Sequence, residues 1–321
     1  MNKTRVKRIL FITLNNLGDI ILTTPVLEKL HQEIPDAKID VITGRPGYGI
    51  FSHHPAVGKV IIRGSGRNFL DRVTEVIGLY KKKYDLVVDL KNSLIPWIIG
   101  AKYHSGTHFF NKRPEHKKDE HLAKLTGLGM DVSGESKFYL PVNDKDRDDV
   151  DRVMGPNKDR LMVVVNPGAK SHLKRWSAEK FAKLSDRLIL ELGCKVFVTG
   201  NDDDKDVIEK FRAYIKKDVT DMRGKTSLGA LTELIKRSDI VVTNDSAPLH
   251  IASAVGTKTV AIFGPSNEKQ YGPVCNKNVV VTPKMPCRPC SEALCSTGPD
   301  EGCISNIEVD EVFRAVRKLL G

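Results

Sequence analysis

Twice along this chain a short run of apolar, β-forming residues ends in a polar turn and passes at once into a helical period. That alternation is what most restricts the fold. The apolar run at 8–14, with Ile9, Leu10, Phe11 and Ile12, ends in Asn15-Asn16-Leu17-Gly18-Asp19. Residues 20–33 then carry Ile20, Ile21, Val26, Leu27 and Leu30 at helical spacing, Pro35 stops the helix, and 38–43 resumes as a strand. Strand, glycine-bearing turn, helix, strand is the unit of a parallel sheet, because parallel neighbours need a long crossover. Strands at 59–63 and 86–90, the second behind a helix at 69–80, extend the pattern. A charged stretch at 144–152 and the turn Gly155-Pro156-Asn157-Lys158-Asp159 interrupt it. Beyond them come strands at 161–165, 195–199, 239–243 and 259–263, helices at 177–192 and 248–255, and a closing amphipathic helix at 308–320. The expectation is an α/β chain of two Rossmann-like, doubly wound domains facing a central cleft, 1–155 and 156–305. A length of 321 residues suits two such cores.

Composition narrows the setting. An apolar fraction of 40% and a charged fraction of 28% are those of a globular protein. No apolar run approaches the roughly 20 residues of a membrane-spanning helix. Lys3 to Arg8 followed by Ile9-Leu10-Phe11-Ile12 imitates a signal peptide, but Asn15, Asn16 and Asp19 interrupt it early, and no small-residue cleavage site follows. A cytoplasmic location is expected. The net charge of +11 favours polyanionic partners or the face of an anionic membrane. With 6% aromatics and no recognisable module, nucleic acid is not expected.

Ligands of doubly wound sheets collect at the carboxyl ends of the strands, so the residues that follow each strand carry the functional weight. In the first turn, Gly18 permits close backbone approach, and Asp19 reads either as a helix cap or as a general base toward a sugar hydroxyl. One glycine there, where a dinucleotide fingerprint has three, argues against that cofactor. The segment Asn166-Pro167-Gly168-Ala169-Lys170-Ser171-His172-Leu173-Lys174-Arg175-Trp176 is a strand exit, a Gly-Ala turn and a basic loop. Its cations suit a departing diphosphate, and Trp176 reads equally as packing beneath the loop. In Asn244-Asp245-Ser246-Ala247-Pro248-Leu249-His250 a buried strand delivers polar residues onto a helix start with Pro248 in its first turn, and free amides at such an end bind phosphate. Cys287, Cys290, Cys295 and Cys303 form a compact cluster that can offer four thiolates to zinc or an iron–sulfur cluster. The second pair lacks zinc-ribbon spacing, so no metal is built into the reading. Cys194 and Cys275 look ordinary.

Taken together, these segments resemble the heptosyltransferase family of inverting glycosyltransferases, glycosyltransferase family 9, whose members build lipopolysaccharide core. Residues 9–35, 84–93, 163–176 and 226–265 carry the resemblance, including Asp245 to His250 and Phe263-Gly264-Pro265. It implies a GT-B architecture, with acceptor domain 1–155, donor domain 156–305, and a last helix (306–321) that packs back on the acceptor domain. It implies Asp19 as the base, Gly18 as the glycine of its turn, and Gly168, Lys174, Arg175, Asp245, Ser246, Ala247 and His250 around the donor. His116 would stand on the acceptor side. The implied reaction transfers heptose from ADP-heptose to a lipid-linked saccharide acceptor at the inner face of an anionic membrane, with no metal or other cofactor required. This chain departs from the family with Ala247 where Gly is usual, with Gly229 where some members place a donor-contacting Glu, and with Lys91-Asn92 for a common Gln-Gly. Two other readings share the fold class: a sugar-nucleotide epimerase, and a non-catalytic protein binding nucleotide or metal.

Overall fold

The computed structural model of the chain describes residues 1–63, 69–106, 115–134, 137–155, 160–290, 295 and 302–321. Two compact units divide it, Met1–Pro141 and Val142–Gly321.

The first unit holds strands β1 (Arg8–Ile12), β2 (Lys38–Thr43), β3 (Val57–Ile62), β4 (Leu86–Asp89) and β5 (Tyr103–His104) in the order β3-β2-β1-β4-β5. Every neighbouring pair is parallel. Its helices are α1 (Leu17–Glu33), α2 (Tyr48–Phe51), α3 (Phe69–Lys81), α4 (Ile95–Ile98) and α5 (Lys117–Thr126). All of β4, and β1 from Ile9 onward, is buried. This is the burial that makes strands of a covered parallel sheet read as continuous apolar runs. Leu10, Ile12, Ile42 and Val87 pack with Leu79 of α3 and Ile95 of α4 in one core cluster.

Helix α1 begins at Leu17, three residues before the expected start, because the extended Asn16 is its N-cap. It runs through Pro25, which has no N–H for the carbonyl of Ile21. The hydroxyl of Thr24 donates to that carbonyl instead, at 2.9 Å. The single-turn helices α2 and α4 and the two-residue β5 are too short to show a period in sequence.

The second unit is built from α6 (Asp144–Met154), β6 (Met162–Asn166), α7 (Ala178–Leu192), β7 (Lys195–Val198), α8 (Lys205–Tyr214), β8 (Thr220–Asp221), α9 (Leu228–Arg237), β9 (Ile240–Asn244), α10 (Ala247–Val255), β10 (Lys258–Ile262), α11 (Glu268–Tyr271), β11 (Asn278–Val281) and α12 (Val309–Leu320). Its six strands are parallel in the order β11-β10-β9-β6-β7-β8.

Two boundaries differ from the expectation. The division falls at 141/142 and not at 155/156, because α6 is tied to the second unit. Asp146 accepts from the Ser227 hydroxyl, Asp151 pairs with Arg237, and the Lys195 ammonium donates to the carbonyls of Val153 and Met154 at 2.9 Å. Pro156, Asn157, Lys158 and Asp159 of the expected linker lie outside the described residues. The closing helix, which the resemblance assigns to the N-terminal domain, buries Val312, Phe313 and Val316 in the core of the second unit. Its amphipathic face needs an apolar partner, and the sheet and α7 of its own unit supply one. Among the described residues no helix is long and apolar enough to cross a membrane.

Candidate functional site

In the second unit the strand order reverses between β6 and β9, the switch point where doubly wound sheets open a crevice at their carboxyl ends. Each of these two strands ends in a buried asparagine, Asn166 and Asn244. Asn166 donates from Nδ2 to the carbonyl of Gly168 and to the hydroxyl of Ser246, both at 3.3 Å. Asn244 donates to the carbonyl of Pro167 at 2.8 Å and accepts from the backbone N–H of Trp176 at 3.0 Å. The two amides stitch the loop after β6 to the turn after β9. Sequence reading passed over both, although a polar residue closing a buried apolar strand is a visible signal.

The expected donor residues gather on this frame. The Lys174 ammonium donates to the Asp245 carboxylate at 2.6 Å and lies 5.9 Å from the centre of the Tyr271 ring. The Asp245 side chain is almost fully buried, while that of Lys174 keeps about a third of its surface in solvent. The cation is thus held at the strand ends by a neighbour, not left loose on the basic loop. Arg175 donates from Nε to the carbonyl of Ala169 at 2.6 Å, closing the loop on itself. A Cβ at Gly168 would stand 2.3 Å from the Asp204 carboxylate, so close approach demands glycine there. Ser246 is the N-cap of α10 but makes no side-chain cap bond, and its hydroxyl reaches back to Thr243 and the carbonyl of Asn244. Pro248 sits in the first turn, where it has no N–H to lose. The first turn of α10, starting at Ala247, therefore lacks a side-chain cap at the switch point, the arrangement that favours an anion. His250 is buried on the same helix. Trp176 is fully buried, stacks edge-on against Phe181 and donates from Nε1 to the carbonyl of Ile307. It is a core residue, as the plainer of its two readings had it.

In the first unit the order reverses between β1 and β4. Asp19 is the third residue of α1, not its cap, and its carboxylate accepts from the Asn16 side-chain amide at 3.0 Å. Asn15 accepts from the Lys91 ammonium at 2.7 Å. Gly18 is half-buried beside Asp19. At the end of β4, buried Asp89 accepts from the N–H of Lys91 at 2.8 Å and from the N–H and hydroxyl of Ser93 at 2.7 and 2.6 Å. Between them Asn92 takes φ +54°, the left-handed conformation that suits glycine or asparagine. Asparagine at 92 is thus compatible with a turn at which the resemblance led one to expect glycine. Buried Lys124 of α5 crosses to this turn, donating to the carbonyl of Asp89 at 2.7 Å and to Asn92 at 2.6 Å. Burial, above all, holds the ammonium of Lys124 below the usual lysine range, with Asp89 and Glu120 opposing. Lys91 is lowered by burial and then by Arg63.

His116, expected on the acceptor side, is the N-cap of α5, its Nδ1 accepting from the N–H of Lys118 at 3.1 Å. One turn on, His121 is buried, and its environment includes Asp19. Desolvation pushes its imidazole down to about 4. Lys124 and His121 had no signal in sequence, because α5 meets this turn only through the fold; Asp89, a polar residue closing a buried strand, had the same signal as Asn166 and Asn244. Gly229 is buried in the first turn of α9, with Glu233 one turn later.

Cys287, Cys290, Cys295 and Cys303 line one small cavity, and none of them is joined in a disulfide. Among the described residues no three His, Cys, Asp or Glu side chains stand as a ready-made metal group. Cys194 is buried in the core and its thiol is pushed up to about 11, chiefly by burial.

Comparison with known proteins bears on all of this. Residues 77–300 match the model of glycosyltransferase family 9 (heptosyltransferase). The chain is 29% identical to lipopolysaccharide heptosyltransferase 3 of Escherichia coli K12, over 94% of this chain and 95% of that one. Its fold resembles that of a glycosyltransferase family 9 protein from Veillonella parvula, with a TM-score of 0.81, 24% identity, and 98% and 97% of the two chains covered. It also resembles E. coli ADP-heptose lipopolysaccharide heptosyltransferase II, with a TM-score of 0.76, 22% identity and 98% of both chains covered.

Proposed function

The chain belongs to glycosyltransferase family 9, the heptosyltransferases, and on that footing we propose that it transfers heptose from ADP-heptose, with inversion, to a saccharide acceptor of the lipopolysaccharide-core type. The family and the GT-B fold make it a glycosyltransferase. The observation that carries the finer reading is the first turn of α10, uncapped by any side chain, with the Lys174–Asp245 pair beside it at a switch point. A nucleoside diphosphate gains negative charge as the sugar leaves it, and helix amides with a fixed cation are placed for such charge. The name of the E. coli relative, an ADP-heptose enzyme, supports that donor.

In this reading Asp19 takes the proton of the acceptor hydroxyl, whose oxygen attacks the anomeric carbon while the carbon–oxygen bond to the diphosphate breaks on the opposite side. Lys174, Arg175 and the amides of the α10 turn receive the leaving group, and Gly168 lets the loop that carries Lys174 pack closely against Asp204. Asn16 holds the Asp19 carboxylate in place through its 3.0 Å hydrogen bond. The chemistry assigns no step to a metal ion.

The same reading places the enzyme on the inner face of an anionic membrane. Supporting it, the contacting helices α3 and α4 expose Val73, Ile77, Tyr80, Leu94, Trp97 and Ile98. Over 73–83 and 91–104 the chain has Lys81, Lys82, Lys83, Lys91 and Lys102 against one acid, Glu75; Glu75 is paired with Arg63, and Lys82 with Asp40 of β2. Apolar side chains rimmed by lysine suit an anionic lipid surface.

The decisive assay measures transfer with and without acceptor. Asp19→Asn is expected to lower turnover by about 10²–10⁴-fold with donor affinity unchanged, the range for loss of a general base. Wild-type turnover in that variant would remove Asp19 from the chemistry. Conversion of the donor to an epimer with no acceptor present would replace the reading with an epimerase.

A further inference from the structure

The fold gathers Cys287, Cys290, Cys295 and Cys303 around one cavity of about 70 Å³, which Leu173 and Pro265 complete. No two of these cysteines are joined in a disulfide. Their surroundings are anchored on several sides. The Cys290 N–H donates to the carbonyl of Pro265 at 2.9 Å. The guanidinium of Arg288 donates to the carbonyls of Gly264 and Ser266 and pairs with Glu268. Cys303 opens the short 3-10 turn (Cys303–Asn306) that leads into α12. Gly302, at φ +51°, carries the chain past Leu173 and the Cys295 sulfur, where an added Cβ would stand 3.4 and 3.9 Å from them.

Nothing in the transfer reaction uses these thiols. Simple filling of space does not ask for them either, since four thiols around an otherwise apolar cavity hydrogen-bond only weakly. Cys287 and Cys290, two residues apart, can offer two ligands from one turn, and Cys295 and Cys303 two more from the rest of the lining. A tetrahedral tetrathiolate with metal–sulfur bonds of about 2.3 Å needs sulfurs about 3.8 Å apart. Among the described residues no three such side chains already stand as a metal group, so binding a cation requires the thiols lining the cavity to turn toward one another by side-chain rotation. We propose that these four cysteines bind a single thiophilic divalent cation, zinc or ferrous iron, as a structural site. Binding replaces four S–H bonds with four metal–sulfur bonds and releases four protons to solvent, with no change of oxidation state.

The cation ties Cys287 and Cys290 to Cys295 and Cys303, and the cavity they share is lined by Leu173, the residue before Lys174. Loading the site therefore steadies the loop that carries the proposed diphosphate contact. That last consequence rests on the proposed function; the site itself does not.

The test uses the full chain purified under reducing, anaerobic conditions, with metal counted by mass spectrometry. About one zinc or iron per chain is expected in the native protein and in the control Cys194→Ser. Cys287→Ser/Cys290→Ser is expected to retain less than a tenth of that. The identity of the metal, and for oxidised iron a thiolate-to-metal absorption, distinguishes the two cations. Should that variant fail to fold, native protein stripped by chelator and titrated with cobalt(II) decides the matter. One equivalent should produce sulfur-to-cobalt charge transfer and tetrahedral d–d bands. Native protein that carries no metal and gives no such cobalt spectrum overturns the proposal. Because neither readout involves donor or acceptor, a failure of the glycosyltransferase reading would leave them untouched.

Discussion

At the level of single residues, burial decides the charge of His121. An unfolded chain protonates this imidazole near pH 6.5, whereas the native one resists until about pH 4. The unfolded state therefore binds more protons between those values, and stability rises with pH across that window. The contribution is complete above about pH 6.5 and gone below about pH 4, on the order of 3 kcal/mol in all. We expect His121→Gln to lose less stability than wild type between pH 7 and pH 5, read as the change in urea midpoint. Parallel pH slopes would show that the imidazole is not neutral in the native state. The Lys174–Asp245 pair makes a second case, because Lys174→Ala strands a buried carboxylate as well as removing a cation. That variant should lose roughly 1–3 kcal/mol of stability and about tenfold in ADP affinity by calorimetry. Lys174→Ala/Asp245→Asn should recover the stability but not the affinity. Recovery of both would make the pair structural only.

Among the elements, α1 shows a local rule overridden by a local remedy. Pro25 argues for a break, yet the helix continues because the Thr24 hydroxyl satisfies the Ile21 carbonyl that proline leaves open. Thr24→Val should cost roughly 1–3 kcal/mol by stranding that buried carbonyl. Adding Pro25→Ala supplies an N–H and should restore part of the loss in thermal melts. If the second change brings no recovery, the orphaned carbonyl is not the cause. The strands β6, β9 and β10 and the helices α7 and α12 were legible to within a few residues, since the first are apolar runs and the second have clear periods. The charged α6, by contrast, read as part of a linker, and β11 was not read at all. Short elements such as α4 and β5 were not legible, for a single turn or a two-residue strand has no period to read. The packing of α12 was not legible either, because an amphipathic face states that it needs a partner without stating which.

For the molecule as a whole, the net charge of +11 gave only a disposition toward anions. The structure localises part of that charge beside an exposed apolar ridge on α3 and α4. The chain has two tryptophans, Trp97 on that ridge and Trp176 fully buried in the second unit. Fluorescence of Trp97 should accordingly shift to the blue when vesicles of phosphatidylglycerol and phosphatidylethanolamine are added, and much less with phosphatidylcholine or at high salt. Trp97→Ala/Leu94→Ser should reduce vesicle co-sedimentation severalfold while leaving the melting temperature near wild type. Equal sedimentation of this variant would remove the ridge from the proposed membrane contact.

Sequence alone determined the class of fold and the turns in which a site is to be sought. Apolar runs bounded by polar turns are a local property of the chain, and in parallel sheets the residues after strands must collect at one end. It could therefore point to Asp19, Lys174 and the Asp245 turn before any geometry was known. What only the tertiary structure decided are pairings between residues distant along the chain. Asp245 holds Lys174, Asn166 and Asn244 join two loops, Lys124 crosses to the turn after β4, and four cysteines share one cavity. Such pairings depend on strand order and helix packing, which the local pattern leaves open.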